Sequence, residues 1–475
     1  LEPLLEALPQ GQPRRVLLEV TSIEQAQSLG QHHGIEGLVV RGQECGGWTG
    51  EDSSFILLQR LLTCQSLPLY VQGGGGPQVA AACRGLGAAG VVLDDQLWLM
   101  PESPLPEPWQ ALLRSLTGQE AMALGERVGR GCRVLVRPGM AAVSQLKALA
   151  EQIEVDLGSG AEADQLWYQQ AGSYLGWGNP ETYDWPMGQG VRLAASLRRC
   201  FGTTGKLIRS ILANSGKQVR LAQDLQPLRA GGPLAVSHGT PYPIVQGPMT
   251  RVSDTAEFAN SVSLAGALPL LALAMMRGSQ VSDLLNRTQA LMGDRPWGVG
   301  LLGFAPKSLR DEQIEAIYAA KPPFALIAGG RPDQAAAFEK EGIASYLHVP
   351  SPVLLKLFLE QGARRFVFEG RECGGHVGPL SSFVLWESMV DTLLSEVEPD
   401  HGSEIHVLFA GGIHDSCSAA FISVLAAPLA QRGMKVGVLM GTAYLFTHEA
   451  VDCGAILPSF QEQALRCDHT VNLET

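Results

Sequence analysis

Residues 369–378 read EGRECGGHVG. They follow the apolar run Arg365-Phe366-Val367-Phe368, which has the pattern of a buried strand. A strand that runs into adjacent glycines and one histidine sets an ionisable group at a strand's carboxyl end. Gly374 and Gly375 carry no side chain, so a flat ligand can approach the backbone there. His376 can gain or lose a proton near neutral pH. The plainer alternative is a surface turn with an incidental histidine, since short motifs mislead often. Two glycine loops further on, Ala410-Gly411-Gly412 and Gly441-Thr442, weigh against it.

Working outward, the segment from Thr240 onward contains eight strand candidates: Ile244–Gln246, Leu268–Leu273, Trp297–Leu301, Phe324–Ile327, Tyr346–Val349, Arg365–Phe368, His406–Phe409 and Val436–Met440. Helices fit between them, for example Thr255–Leu264, Asp311–Ala320, Asp333–Lys340 and Pro352–Gln361. About 200 residues with eight such units meet the requirement of a closed (β/α)8 TIM barrel. An open doubly wound sheet is the rival. The count of eight, and glycine loops after the last strands, favour the barrel.

Chemistry in such barrels lies at the carboxyl ends of the strands. The candidate loops there are Gly247-Pro248-Met249-Thr250, Leu302-Gly303-Phe304 (just past Gly300), Ala328-Gly329-Gly330, Glu372–Gly378, Ala410-Gly411-Gly412 and Gly441-Thr442. The last two have the position this fold favours for a phosphate, with backbone N–H groups and a following helix N-terminus facing the anion. Six loops without bulk at one rim suit a wide, flat, phosphorylated ligand such as FMN. His348, after the fifth strand, is a second candidate for the pocket. Cys373 reads as a small packed residue. His406, His414 and His448 lack metal-ligand spacing with any cysteine, and no metal is expected.

The motif order PIVQGPM, EGRECGGHVG, FAGGI, GVLMGTAYL resembles the nitronate monooxygenase (2-nitropropane dioxygenase) family. That family includes the FMN-dependent enoyl reductases found in polyketide and polyunsaturated fatty acid synthases. The resemblance covers Tyr242–Glu449 and implies FMN at the mouth of a TIM barrel. It sets Gly247, Pro248 and Met249 against the isoalloxazine. Gly411, Gly412, Gly441 and Thr442 match the phosphate loops, and His376 matches the active-site histidine. Gly300, Gly329, Gly374 and Gly375 complete the expected cofactor set. Two positions depart from the pattern: Gly300, where nitronate monooxygenases often have Asn, and Cys373, where Ala is common. Both bear on nitronate chemistry more than on the flavin.

The first hundred residues carry a related pattern. Gly42–Gln59 and Gly370–Glu387 are identical at ten of eighteen positions without a gap. Leu69–Gly75 then corresponds with Val407–Ile413, and Gly90–Glu102 with Gly437–Glu449. An internal duplication accounts for this. Trp48 stands where His376 stands, and Asp94-Asp95 stand where Gly441-Thr442 stand, so carboxylates would repel a phosphate. Expected here are a degenerate half-barrel over residues 1–105 with four βα units, a mainly helical connecting region over 106–235, and the FMN-binding barrel over 236–475.

The bulk properties limit the function classes. The 475 residues are 45% hydrophobic and 17% charged, with a formal net charge of −12, which disfavours nucleic acid and anionic membrane as partners. No apolar stretch is long enough to span a bilayer, and the start has no secretory signal. Nine cysteines without CxxC pairs fit free thiols in a reducing, cytoplasmic setting. The chain starts at Leu1 and reads as an excerpt of a longer polypeptide. The leading expectation is an enoyl-thioester reductase of a polyketide or fatty acid synthase. It would use NAD(P)H as reductant and an acyl thioester substrate on an acyl carrier protein, with other synthase domains and a homodimer as possible partners. The alternatives are a nitronate monooxygenase using O2 and a non-catalytic scaffold.

Overall fold

The computed structural model describes residues 16–29, 34–179, 182–375 and 377–467. The helix expected over Leu1–Pro9, and His376, lie outside the described residues. The chain divides into two compact units. One runs to Val219 and also takes in Pro379–Glu387; the other comprises Arg220–Gly378 and the chain from Ser388 onward.

In the first unit come β1 (Val16–Val20), β2 (Ile35–Arg41), β3 (Gly47–Thr49), β4 (Leu69–Gln72), β5 (Gly90–Val91), β6 (Ala121–Leu124) and β7 (Gly131–Leu135). β1, β2, β4 and β5 form a parallel sheet in that order. Helices Ile23–Leu29, Ser54–Cys64 and Pro77–Leu86 connect them, as alternation of strand and helix requires. β3 pairs antiparallel with β7, which pairs with β6. Local sequence hid β3 and β6, whose pairing depends on distant segments. Within the region expected to be mainly helical lie the helices Val191–Phe201 and Thr204–Leu225. Gly202 between them has φ +74°, a left-handed value open to glycine. Helix Ala161–Ala171 leads into a stretch rich in Trp, Tyr and Gly. Their aromatics pack: Trp177 meets Trp98 and Trp185, and Tyr168 meets Trp48.

The second unit holds a closed parallel barrel of β8 (Ile244–Gln246), β9 (Leu268–Ala272), β10 (Gly298–Leu302), β11 (Phe324–Ala328), β12 (Ala344–His348), β13 (Arg365–Glu369), β14 (His406–Ala410) and β15 (Lys435–Met440). β15 pairs with β8 to close it. These are the eight expected strands, because parallel strands covered on both faces read as near-continuous apolar runs. Alternate residues point inward. Leu268, Leu270, Phe324, Leu326, Tyr346, Val367, Leu408, Ala410 and Leu439 pack into one interior cluster, each large side chain contributing roughly 1.5–3 kcal/mol by burial.

The short helix Pro233–His238 closes the amino-terminal end of the barrel. Leu234 joins the interior cluster and packs against Gly437, where a Cβ would lie 2.2 Å from its Cδ2. His238 Nε2 lies 2.7 Å from Tyr346 Oη, and Ser237 Oγ lies 2.8 Å from His406 Nε2. The opposite end of the barrel is therefore the open mouth. Among the described residues no helix is long and apolar enough to cross a membrane.

Candidate functional site

The mouth is assembled from the loops that follow the strands. After β8, the Gly247 N–H donates to Met440 O at 2.9 Å, and the Met249 N–H donates to Ser253 Oγ at 2.6 Å. Gln246 is buried beneath, its side-chain amide donating to the Gly247 carbonyl. These bonds fix Gly247, Pro248 and Met249 at the rim. Gly300 sits against Pro248: a Cβ there would lie 2.2 Å from Pro248 Cβ. The proline ring thus takes the space in which a side chain at residue 300 would project.

After β10 and β11 the two loops pack on each other. A Cβ on Gly303 would meet Gly330 Cα at 2.7 Å, and one on Gly329 would meet the Phe304 ring at 2.7 Å. Arg310 and Gln334 donate to the Gly303 carbonyl at 2.8 and 3.0 Å. Gly329 therefore serves close packing beneath Phe304, which is itself exposed.

The loop after β13 differs. The Gly370 N–H donates to Ala410 O, and the Cys373 N–H donates back to Gly370 O. Beyond this tight turn, the positions a Cβ would take on Gly374 and Gly375 have no described atom within 4 Å. Gly375 has φ +87°. The two glycines form an open ledge.

After β14, Gly411 and Gly412 have φ +120° and +67°, so backbone rather than side chain forms that edge. The helix N-terminus expected to face an anion is already capped. Helix Ser416–Gln431 has Asp415 at its N-cap, its carboxylate accepting from Ser418 N at 2.8 Å. After β15, Gly441 leads into a 3-10 turn, Thr442–Phe446, instead of directly into an α-helix. Thr442 is exposed, and a Cβ on Gly441 would meet Met249 Sδ at 3.5 Å.

Sequence reasoning passed over Glu369 as a site residue. It is the first residue of the stretch that decided the fold, and alternation from Val367 turns it into the barrel. His348, inward by the same alternation from Tyr346, places Nδ1 2.8 Å from Glu369 Oε2. Both side chains are largely covered, at 14% and 12% exposure. Cys373 packs against the interior cluster. Burial, then the charges of Glu369 and Glu372, push its thiol well above the ordinary range. It stays neutral and is a poor nucleophile.

Residues 233–456 match the nitronate monooxygenase family. The match covers the barrel and just under half of the chain, and the proteins of that family are oxidoreductases. The match begins at the helix that closes the barrel floor and runs past the 3-10 turn after β15. Among characterised proteins, the chain is similar to (3aS,4S,5R,7aS)-5-hydroxy-7a-methyl-1-oxo-octahydro-1H-indene-4-carboxyl-CoA dehydrogenase of Rhodococcus jostii (strain RHA1), at 27% identity over 241 residues. That similarity covers 49% of this chain and spans 60% of the relative's length. Similar solved structures include FabK from Thermotoga maritima, at 24% identity and TM-score 0.41, covering 49% of this chain and 67% of that one. Nitroalkane oxidase from Streptomyces ansochromogenes is similar at 21% identity and TM-score 0.38, covering 45% of this chain and 69% of that one.

Proposed function

We propose that this barrel is an FMN-dependent reductase of enoyl thioesters. The observation that carries the reading is the open ledge at Gly374–Gly375, next to an inward-facing His348–Glu369 pair. A ligand laid on the ledge meets ionisable groups at the strand ends, as reactions of this fold require. The residues present fit FMN. The left-handed backbones of Gly411 and Gly412 and the exposed Thr442 hydroxyl offer small polar groups for a phosphate. Gly247, Pro248 and Met249 offer a fixed rim for a flat ring. The Rhodococcus relative is a carboxyl-CoA dehydrogenase, which supports an acyl thioester as the substrate class.

Bound FMN would supply two-electron hydride chemistry, with NAD(P)H as its reductant. The chain's own groups would do the rest. Gly247, Pro248 and Met249 would hold the ring, and Gly411, Gly412, Gly441 and Thr442 the phosphate. Gly374 and Gly375 would admit the acyl group and exclude water once it is seated. His376 would orient the thioester carbonyl or donate the α-proton. An acyl carrier protein and neighbouring synthase domains are the partners this chemistry suggests.

Nitronate oxidation by O2 is the second reading, and the family match itself favours it. Steady-state assays separate the two. Our reading expects NAD(P)H consumption that depends on crotonyl-CoA. Oxygen uptake driven by a nitronate without nicotinamide, and no response to crotonyl-CoA, overturns it.

We infer further that the first unit is a decayed copy of the barrel whose ligand place is filled by its own chain. Gly46 corresponds to Gly374, yet a Cβ on Gly46 would lie 2.8 Å from Gly188 N. Gly74 corresponds to Gly412, and a Cβ there would lie 2.9 Å from Gly190 Cα. Residues 187–190 therefore occupy the place where the intact copy is open. Asp95 is buried, and burial followed by the charge of Asp94 pushes its carboxyl up toward the neutral form.

A further inference from the structure

Within the barrel, the inward-facing residues form layers. By alternation Phe324, Leu326 and Ala328 on β11, Tyr346 and His348 on β12, and Val367 and Glu369 on β13 face inward, and Ala328, His348 and Glu369 end their strands. The top layer is apolar on β11, where Ala328 ends the strand, and ionisable on β12 and β13. Cys373, from the loop after β13, packs against the same interior and accounts for a side-chain contact with Glu369.

The Glu369 carboxylate accepts the Nδ1–H of His348, which fixes the ring's orientation. Nε2 is then the free end of the imidazole. That atom is buried and has no hydrogen-bond partner among the described residues. A buried polar atom without a partner is costly and calls for an occupant. Glu369 on β13 is the ionisable group bonded to this ring; Arg371, Glu372 and Cys373 follow it in the loop, and Tyr346 lies on the same face of β12. Tyr346 is already engaged with His238 on the floor, and Cys373 stays neutral. When both ring nitrogens carry a proton, Nε2–H is a donor with the Glu369 carboxylate beside it as counter-charge.

We propose that His348, held by Glu369, is a second ligand-binding acid of the barrel mouth, and that its Nε2–H donates a hydrogen bond to the carbonyl oxygen of the bound acyl thioester. This rests on the enoyl-thioester reading above. The donor strengthens its bond as negative charge grows on that oxygen when hydride reaches the β-carbon, so it favours reduction over mere binding. No atom is transferred to or from His348 in this role. Glu369 acts through His348 and is a positioning residue.

The test uses the FMN-loaded protein and crotonyl-CoA without reductant, so that binding is read from the flavin spectrum with no turnover, between about pH 6 and 9. In the wild type, affinity falls by about tenfold per pH unit above the midpoint at which the imidazolium loses its proton. In Glu369→Gln that midpoint moves to lower pH. In His348→Gln, whose amide can still donate, binding persists and the pH dependence disappears. A flat wild-type profile, or one profile shared by all three proteins, overturns the proposal. If His348→Gln does not fold, Glu369→Gln decides alone, and an unmoved midpoint overturns it. A protein that takes up no FMN, or shows no spectral response to crotonyl-CoA, contradicts the enoyl-thioester reading instead. Nitrogen NMR of the imidazoles then decides separately: a His348 midpoint that is the same in wild type and Glu369→Gln contradicts the pair.

Discussion

Pro248 and Gly300 are packed ring against α-carbon, with the Pro248 Cβ 2.2 Å from where a Cβ on residue 300 would stand. The glycine of β10 is therefore required by the first loop. Family members with Asn at this position need a different first loop, or a different seat for the ring. Gly300→Ala is expected to push Pro248 outward and cost about 1–3 kcal/mol, the usual range for overpacking. Urea unfolding would measure the loss, and equilibrium dialysis a weaker hold on FMN.

The ledge makes the opposite prediction. Gly374 has open space and no left-handed backbone requirement. Gly374→Ala should leave stability within about 0.5 kcal/mol while weakening acyl-thioester binding by about tenfold, or about 1.4 kcal/mol. Gly375, at φ +87°, should lose about 1–2 kcal/mol of stability on the same change. Paired melting and binding curves check whether the two effects separate.

Acid should loosen the barrel floor. Burial, then the nearby positive charges, lowers His238 to about 3, and burial with Arg365 and Lys435 lowers His406 to about 3. Below the unfolded histidine value of about 6.5, the unfolded chain takes up protons that the folded barrel refuses. Stability is thus full above that value and is lost as the pH falls toward 3, by about 2 kcal/mol per histidine at pH 5. Urea midpoints at pH 7 and 5 test this, and His406→Gln should remove about half of the difference.

Glu387 has a structural task in the first unit. Its carboxylate accepts from Gln78 N at 3.1 Å and Val79 N at 2.7 Å, at the start of helix Pro77–Leu86. That helix follows the loop that corresponds to Gly411–Gly412, so a fixed carboxylate stands where the intact copy is expected to take a phosphate. Glu387→Ala leaves one buried and one partly buried donor unsatisfied and should cost about 1–3 kcal/mol. Thermal unfolding would show it, and added phosphate should not restore the loss if the first unit binds no anion.

The barrel was legible because its strands are short apolar runs, six of the eight followed directly by glycine, and each run is its own signal. The parallel strands of the first unit were legible as apolar runs alternating with helices. β3 and β6 were not, since an antiparallel partner many residues away leaves no local periodicity. Gly300 and Gly329 read as an open rim, yet they serve close packing against Pro248 and Phe304. Spacing alone cannot separate a glycine that leaves room from one that yields to a neighbour. The His348–Glu369 pair was half visible. Each residue ends a strand and points inward, but their approach depends on the register of β12 and β13. His376, the strongest motif residue, lies outside the described residues.

The central claim is a flavin that takes electrons from nicotinamide and gives them to an enoyl thioester. The most direct measurement is an anaerobic stopped-flow record of the visible flavin band in the FMN-loaded protein, mixed first with NAD(P)H and then with crotonyl-CoA. The account predicts bleaching in the first mix and recovery of the band in the second. A band that nicotinamide leaves unchanged but a nitronate bleaches would contradict it.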